Sequence, residues 1–239
     1  MLNIIIPLAG SSELFNNVGY YYPKPLIEIK GKIMIEHAIL QASELNDLHR
    51  FIFIIKEEDA IKFHLDNTLK LLAEGCIIIK LNNQTKGALC STLMSIDLMD
   101  SNDEILVLNG DQIIDFDFNE FAQKWRNENV DAGLVTFNSI HPRWSYALLE
   151  NDNVVKTAEK NPISKNAIAG YYYFRNARDF FINSFAAIKN EEQVNGNYYL
   201  SSVINYYVLN NKSVKIFPIS NSKYHSFYSP QMVNEFERK

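Results

Sequence analysis

Positive charge is in short supply in this chain: 23 lysines and arginines stand against 28 aspartates and glutamates, a net charge of −5. That balance gives no electrostatic footprint for nucleic acid or for an anionic membrane surface, so neither is expected as a partner. Cysteine is almost missing. Cys76 and Cys90 both sit in apolar settings and read as small buried thiols, not as a zinc site or the framework of a secreted protein. No run approaches the ~20 apolar residues of a membrane span. The opening stretch Met1–Gly10 lacks a basic n-region, and its apolar run is too short for a signal peptide, so a cytoplasmic location is expected. The five histidines (His37, His49, His64, His141, His225) lack metal-ligand spacing. No Ser–His–Asp or Cys–His constellation is legible, which argues against a hydrolase. Linkers, repeats and low-complexity tracts are also lacking.

What is present is a globular composition, 47% apolar and 21% charged over 239 residues, enough for one large α/β domain. Leu2–Leu8, Phe51–Ile55, Cys76–Leu81 and Ile105–Leu108 are apolar throughout, as strands buried on both faces of a parallel sheet are. Between them lie helix-like stretches, Ile33–Leu45, Glu57–Ala73 and Ala88–Leu98. The alternation predicts βαβ units with right-handed crossovers. After about residue 130 the pattern becomes strand-rich: Ala132–Phe137, Tyr146–Glu150, Val154–Glu159 and Ala169–Phe174, with a hairpin signal at Asn151-Asp152-Asn153. Helices are expected at Ala177–Ile188 and Leu200–Leu209, a strand at Ser213–Pro218, and a last helix from Pro230. The fold class is therefore α/β: a Rossmann-like, mixed but mostly parallel sheet flanked by helices. A single domain over 1–239 is expected, with halves at 1–130 and 131–239.

In open α/β sheets, ligands collect at the carboxyl ends of the strands. The loops Ala9–Tyr22, Asn82–Lys86 and Asn109–Gln112 leave such ends and should converge on one cleft. Lys24 stands between Pro23 and Pro25, so its backbone is stiff and its ammonium is aimed. It reads as a point charge directed at a phosphate, or as a solvated lysine in a turn. The strand into Asn109-Gly110-Asp111 puts a carboxylate where Mg²⁺ could be held and bridge phosphate oxygens. Asn-Gly-Asp is also a common turn. Glu159-Lys160 at a strand end is either a sugar-phosphate anchor or an exposed charge pair. Gly170 lies near the start of an aromatic strand, where a sugar could rest against the backbone. Its tyrosine neighbours could equally be core and rim.

Taken in order, Pro7-Leu8-Ala9-Gly10, Pro23-Lys24-Pro25-Leu26-Ile27, Gly31-Lys32-Ile33-Met34-Ile35-Glu36, Asn109-Gly110-Asp111-Gln112, His141-Pro142-Arg143-Trp144-Ser145-Tyr146, Glu159-Lys160 and Ala169–Phe174 resemble the sugar-phosphate nucleotidyltransferase family over nearly the whole chain. The nearest likeness is to the branch of capsule and surface-polysaccharide gene clusters. The resemblance implies a GT-A-like fold and the joining of a nucleoside triphosphate, CTP or UTP favoured, to a phosphorylated small molecule with release of pyrophosphate. It implies a nucleotide-binding first half and an acceptor-binding second half. By resemblance, Lys24 contacts phosphates and Asp111 ligates Mg²⁺. Leu8, Ala9, Gly10, Asn109 and Gly110 approach the nucleotide, and Gly87 its base. Tyr146, Glu159, Lys160 and Gly170 hold the acceptor. Oligomeric state is not legible.

Two motifs depart from the family. Its first loop reads Leu-Ala-Gly-x-Gly-Ser-Arg-Phe, whereas here Ser12 replaces the second glycine, Leu14 the arginine, and Glu13 adds a negative charge. An apolar side chain cannot replace a bidentate guanidinium. Near the C-terminus the family's Gly-Thr-Pro-Glu-Asp becomes Tyr228-Ser229-Pro230-Gln231-Met232, and a second metal carboxylate of many relatives falls at Ser226. Three readings remain: an active enzyme compensated by Lys86, Arg143 or Lys30; a non-catalytic relative that binds nucleotide or sugar phosphate; and a nucleotide-sugar-dependent glycosyltransferase.

Overall fold

Isoleucine-rich runs that hide side chains on both faces form the middle of one mixed sheet in the computed structural model, which describes residues 1–238. Its strands are β1 (Leu2–Pro7), β2 (His49–Lys56), β3 (Ile77–Leu81), β4 (Glu104–Leu108), β5 (Ala132–Asn138), β6 (Ser145–Glu150), β7 (Asn153–Glu159), β8 (Asn166–Phe174) and β9 (Val214–Pro218). The order β3-β2-β1-β4 is parallel. β8 then pairs antiparallel with β4 through Tyr171–Phe174. Its other edge carries β5, and β5 carries β9 in parallel. The start of β8 also meets the β6–β7 hairpin at Ala167 and Tyr146. The two-residue hairpin turn uses positive φ at Asn151 and Asp152 (49° and 61°), the geometry whose twist suits a tight hairpin.

The period of two divides each strand between two cores. Ile4, Ile6, Phe51, Phe53 and Ile55 face one side, under helices α1 (Met34–Ser43), α2 (Glu57–Phe63), α3 (Leu65–Leu72) and α5 (Phe118–Asn127). Ile5, Ile52, Ile54, Ile105 and Val107 face the other, with α4 (Ala88–Leu93), α6 (Ala177–Lys189) and α7 (Leu200–Leu209). A third, smaller cluster joins Phe15, Ile27, Met34 and Phe227 to Val233 of α8 (Pro230–Glu237).

Among the longer elements, three differ from expectation. The helix expected over Glu57–Ala73 is broken at His64, whose φ of 53° is left-handed, a conformation that interrupts a right-handed helix. The one expected over Ala88–Leu98 stops at Leu93, and a 3₁₀ turn follows at Ile96–Leu98. Helix α5 was not anticipated, although Phe118, Phe121, Ala122 and Trp125 recur at helical spacing and are buried. Asp117 caps it by accepting a hydrogen bond from the Asn119 N–H at 2.8 Å. No helix among the described residues is long and apolar enough to cross a membrane.

Candidate active site

Because β1 and β4 are parallel neighbours, the chain leaves both at the same sheet edge. The loop after β1 makes one helical turn, Glu13–Asn16, anchored by the buried ring of Phe15. It returns past Pro23 into a 3₁₀ turn, Lys24–Leu26. Ser12 Oγ accepts the Lys24 backbone N–H at 2.9 Å, tying the two ends of the loop together. The Lys24 ammonium then reaches Asp111, at the end of the loop after β4, with Nζ 2.7 Å from Oδ2. Both side chains are about one-fifth exposed (22% and 21%), so the pair keeps a face toward solvent.

That pair lies on a cavity of about 340 Å³, whose wall includes Pro7, Leu8, Gly10, Asn109 and Gly110. A second cavity of about 380 Å³ adjoins it, and Ala88, Asn109, Tyr199 and Tyr228 belong to both walls. Glu159, Lys160, Gly170, Trp144, Arg143 and Tyr172 line the second one. Gly170, on the wall of the second, packs against Asn109, which lines both. Its φ is +72°, and a Cβ there would fall 2.1 Å from Asn109 Nδ2. Its carbonyl accepts the Asn109 N–H at 3.1 Å. Only glycine accommodates that backbone and that approach.

Glu159 is held by two serines: Ser201 Oγ donates to its Oε2 at 2.9 Å, and Ser145 Oγ donates to the same oxygen. Burial pushes its carboxyl above the usual range, and the two hydroxyls pull partly back. Lys160 donates from Nζ to the Tyr199 hydroxyl at 3.0 Å, a contact that raises its pKa.

Residues 5–220 match the family model described as nucleotidyl transferase. The chain belongs to that family. A curated relative, the bifunctional protein GlmU of Methanocaldococcus jannaschii, is 28% identical over 183 residues, 72% of this chain and 40% of that protein. The chain thus spans well under half the length of the curated relative it matches. A nucleoside-diphosphate-sugar pyrophosphorylase from Vibrio cholerae RC9 superposes with a TM-score of 0.86 at 24% identity, covering 99% of this chain and 100% of that one. An inositol-1-phosphate CTP transferase from T. maritima gives 0.75 at 17%, covering 99% and 95%. At such identities the likeness is one of fold, and it matches the mixed, mostly parallel sheet flanked by helices described above.

The expected residues fall in three groups. Lys24, Asp111, Leu8, Gly10, Asn109 and Gly110 share the first cavity, and Glu159, Lys160 and Gly170 the second. Ala9 is buried beside the first cavity without lining it. Gly87 and Tyr146 also line neither. Gly87, φ +96°, packs on the Tyr198 backbone, where a Cβ would lie 2.4 Å from the carbonyl oxygen. Tyr146 is fully buried, and its hydroxyl donates to the His141 carbonyl at 2.6 Å. The loop Asn82–Lys86 contributes no wall residue to either cavity; Ala88, at the start of the helix it leads into, does.

Leu14, which stands where the family has arginine, is 47% exposed and lines neither cavity. Of the cations named as substitutes, Arg143 lines the second cavity, Lys30 lies over the Phe236 ring, and Lys86 lines neither. Two further cations border the loop, and the sequence did not single them out. Lys56 and Lys62 share a recess of about 400 Å³ with Ser11, Ser12, Glu13 and Asp59. Also missed was Tyr199, common to both cavity walls. Its signal was faint: one aromatic among several ahead of α7.

Proposed function

We propose that this chain is a nucleotidyltransferase that joins a nucleoside triphosphate, CTP or UTP, to a sugar phosphate or similar phosphorylated metabolite, for capsule or surface polysaccharide synthesis in the cytoplasm. The observation that carries the reading is the Lys24–Asp111 pair, 2.7 Å apart, in a cavity that shares wall residues with a second one lined by Glu159 and Lys160. In the reaction an acceptor phosphate oxygen attacks the α-phosphorus, the bond to the bridging oxygen breaks, and pyrophosphate leaves. The protein's work is positioning and neutralising charge.

Gly10, where a Cβ would meet open space, lets a nucleotide lie close to the end of β1, while the missing Cβ of Gly110 makes room for Leu8, whose Cδ2 would stand 2.4 Å from it. Lys24 neutralises phosphate charge. Asn109, hydrogen-bonded to Gly170, fixes the seam at which the two substrates meet. Glu159, oriented by Ser145 and Ser201, accepts from an acceptor hydroxyl, and Lys160 meets its phosphate.

The residues fit a divalent ion supported largely by substrate. Among the described residues no three His, Cys, Asp or Glu side chains gather as a metal site. Asp111 supplies one hard carboxylate oxygen, which suits Mg²⁺ bound through one or two carboxylates and substrate phosphates. When bound, Mg²⁺ supplies charge neutralisation between phosphate groups.

The test is pyrophosphate release with each NTP, Mg²⁺ and a panel of sugar and alditol phosphates. Turnover that Asp111→Asn and Lys24→Ala each abolish supports the reading; full activity in both removes it. A second reading is favoured by the exposed Leu14 and by Ser226, which pairs with Gln112 one residue from Asp111: a non-catalytic relative. It is expected to show ligand-induced thermal stabilisation with no pyrophosphate.

A further inference from the structure

We infer that the acceptor carries a second anionic group besides its reacting phosphate, and that Arg143 receives it. The inference rests on the second cavity being the acceptor site, as proposed above.

Arg143, an exposed residue, lines that cavity with its guanidinium set among Trp144, Tyr228, His141 and Met232. Its Cζ lies 5.8 Å from the Trp144 ring centroid and 5.9 Å from that of Tyr228. Its Nε is 3.3 Å from His141 Nδ1, and one terminal nitrogen is 3.7 Å from the Met232 sulfur. No ion pair among the described residues includes it. A stacked guanidinium whose fork is not spent on a carboxylate is preorganised for one.

Two residues near the C-terminus form the seat: Tyr228 supplies one aromatic face, and Met232 sets a thioether, not a carboxylate, 3.7 Å from a terminal nitrogen of the guanidinium.

The charge pattern of the rest of the cavity points the same way. Lys160, the other cation on its wall, also lacks a carboxylate within ion-pair distance, and it lies over the Tyr199 ring at 5.2 Å. The aromatic faces of Trp144, Tyr199 and Tyr228 are thus already met by the protein's own cations, which disfavours a cationic ligand there. Glu159 is taken up by two serine hydroxyls. Glu159 shares that wall and its charge acts on Lys160, so Arg143 is the cation of the cavity with no carboxylate beside it, in a chain whose net charge is −5. With the reacting phosphate at Lys160, the guanidinium of Arg143 is left for a second anion. A planar carboxylate fits the fork of Arg143, as in a phosphorylated uronic acid or hydroxy acid; a second phosphate is the other source of the same chemistry.

Calorimetric titration of the full chain with matched probes tests this. The pairs are glucose 1-phosphate against glucuronic acid 1-phosphate, glucose 1-phosphate against glucose 1,6-bisphosphate, and glycerol 3-phosphate against 3-phosphoglycerate. The doubly anionic member of at least one pair is expected to bind about tenfold tighter. Arg143→Gln should shrink that margin severalfold, and Arg143→Lys should keep part of it. Met232→Asp, which places a carboxylate on the guanidinium, should shrink it as well. Equal or undetectable binding in every pair, or a margin that Arg143→Gln and Met232→Asp leave intact, overturns the inference. Pyrophosphate release is read separately. A binding margin without pyrophosphate removes the catalytic reading and keeps the anion site; pyrophosphate without a margin does the reverse.

Discussion

Lys24 and Asp111 are 87 positions apart in the chain and 2.7 Å apart in space. Two parallel strands side by side bring their loops together, and the prolines flanking Lys24 stiffen the backbone from which its side chain departs. The pair is partly buried, and losing it costs on the order of 1 kcal/mol. Lys24→Ala is therefore expected to shift the melting temperature by only a few degrees while lowering kcat/KM by about 10² or more. Melting curves beside pyrophosphate kinetics separate a site residue from a structural one.

Leu14 offers the converse experiment. Restoring a guanidinium with Leu14→Arg should raise kcat/KM for the triphosphate by about tenfold or more. An unchanged rate would mean that another cation already meets the outer phosphates, and Lys56→Ala and Lys62→Ala would then be the variants to compare.

Gly170→Ala places a methyl group against Asn109 Nδ2 at a backbone angle of +72°. The left-handed backbone alone costs about 1–2 kcal/mol, and the clash moves Asn109 off the seam of the two cavities. Denaturant unfolding should register the loss of stability, and the acceptor KM should rise.

Glu159 gives a pH signature. Burial raises its folded-state pKa above the unfolded one. Between the two values the folded chain binds more protons than the unfolded chain, so this group's contribution to stability falls as pH rises through that window and is level above it. Glu159→Gln, which cannot ionise, should gain stability relative to the parent across the same window. Chemical denaturation at pH steps upward from 4.5 reads the difference. A difference that stays flat with pH would contradict the assignment of a strained carboxylate.

Much of this was readable in advance. The continuous apolar runs at Ile4–Ile6 and Phe51–Ile55 admit little except buried parallel strands, and loops leaving such strands mark a site at their carboxyl ends. That reasoning places Lys24 and Asp111 in one cleft. Helix α5 was overlooked because it follows directly on a short strand, Gln112–Ile114, in a stretch where aromatic residues suit either period. His64 broke a helix without glycine or proline to announce it. Tyr199, and the way Tyr228 and Met232 converge on Arg143, depend on packing between segments distant in sequence. Local spacing carries no trace of such contacts.

The central claim is that Lys24 and Asp111 act on one substrate in one site. A double-mutant cycle in kcat/KM for pyrophosphate release, with the best acceptor of the panel, tests it most directly. The expected result is strong non-additivity: Lys24→Ala and Asp111→Asn together cost about as much as the worse of the two alone. Losses that simply add, or single variants that retain full rate, would contradict it.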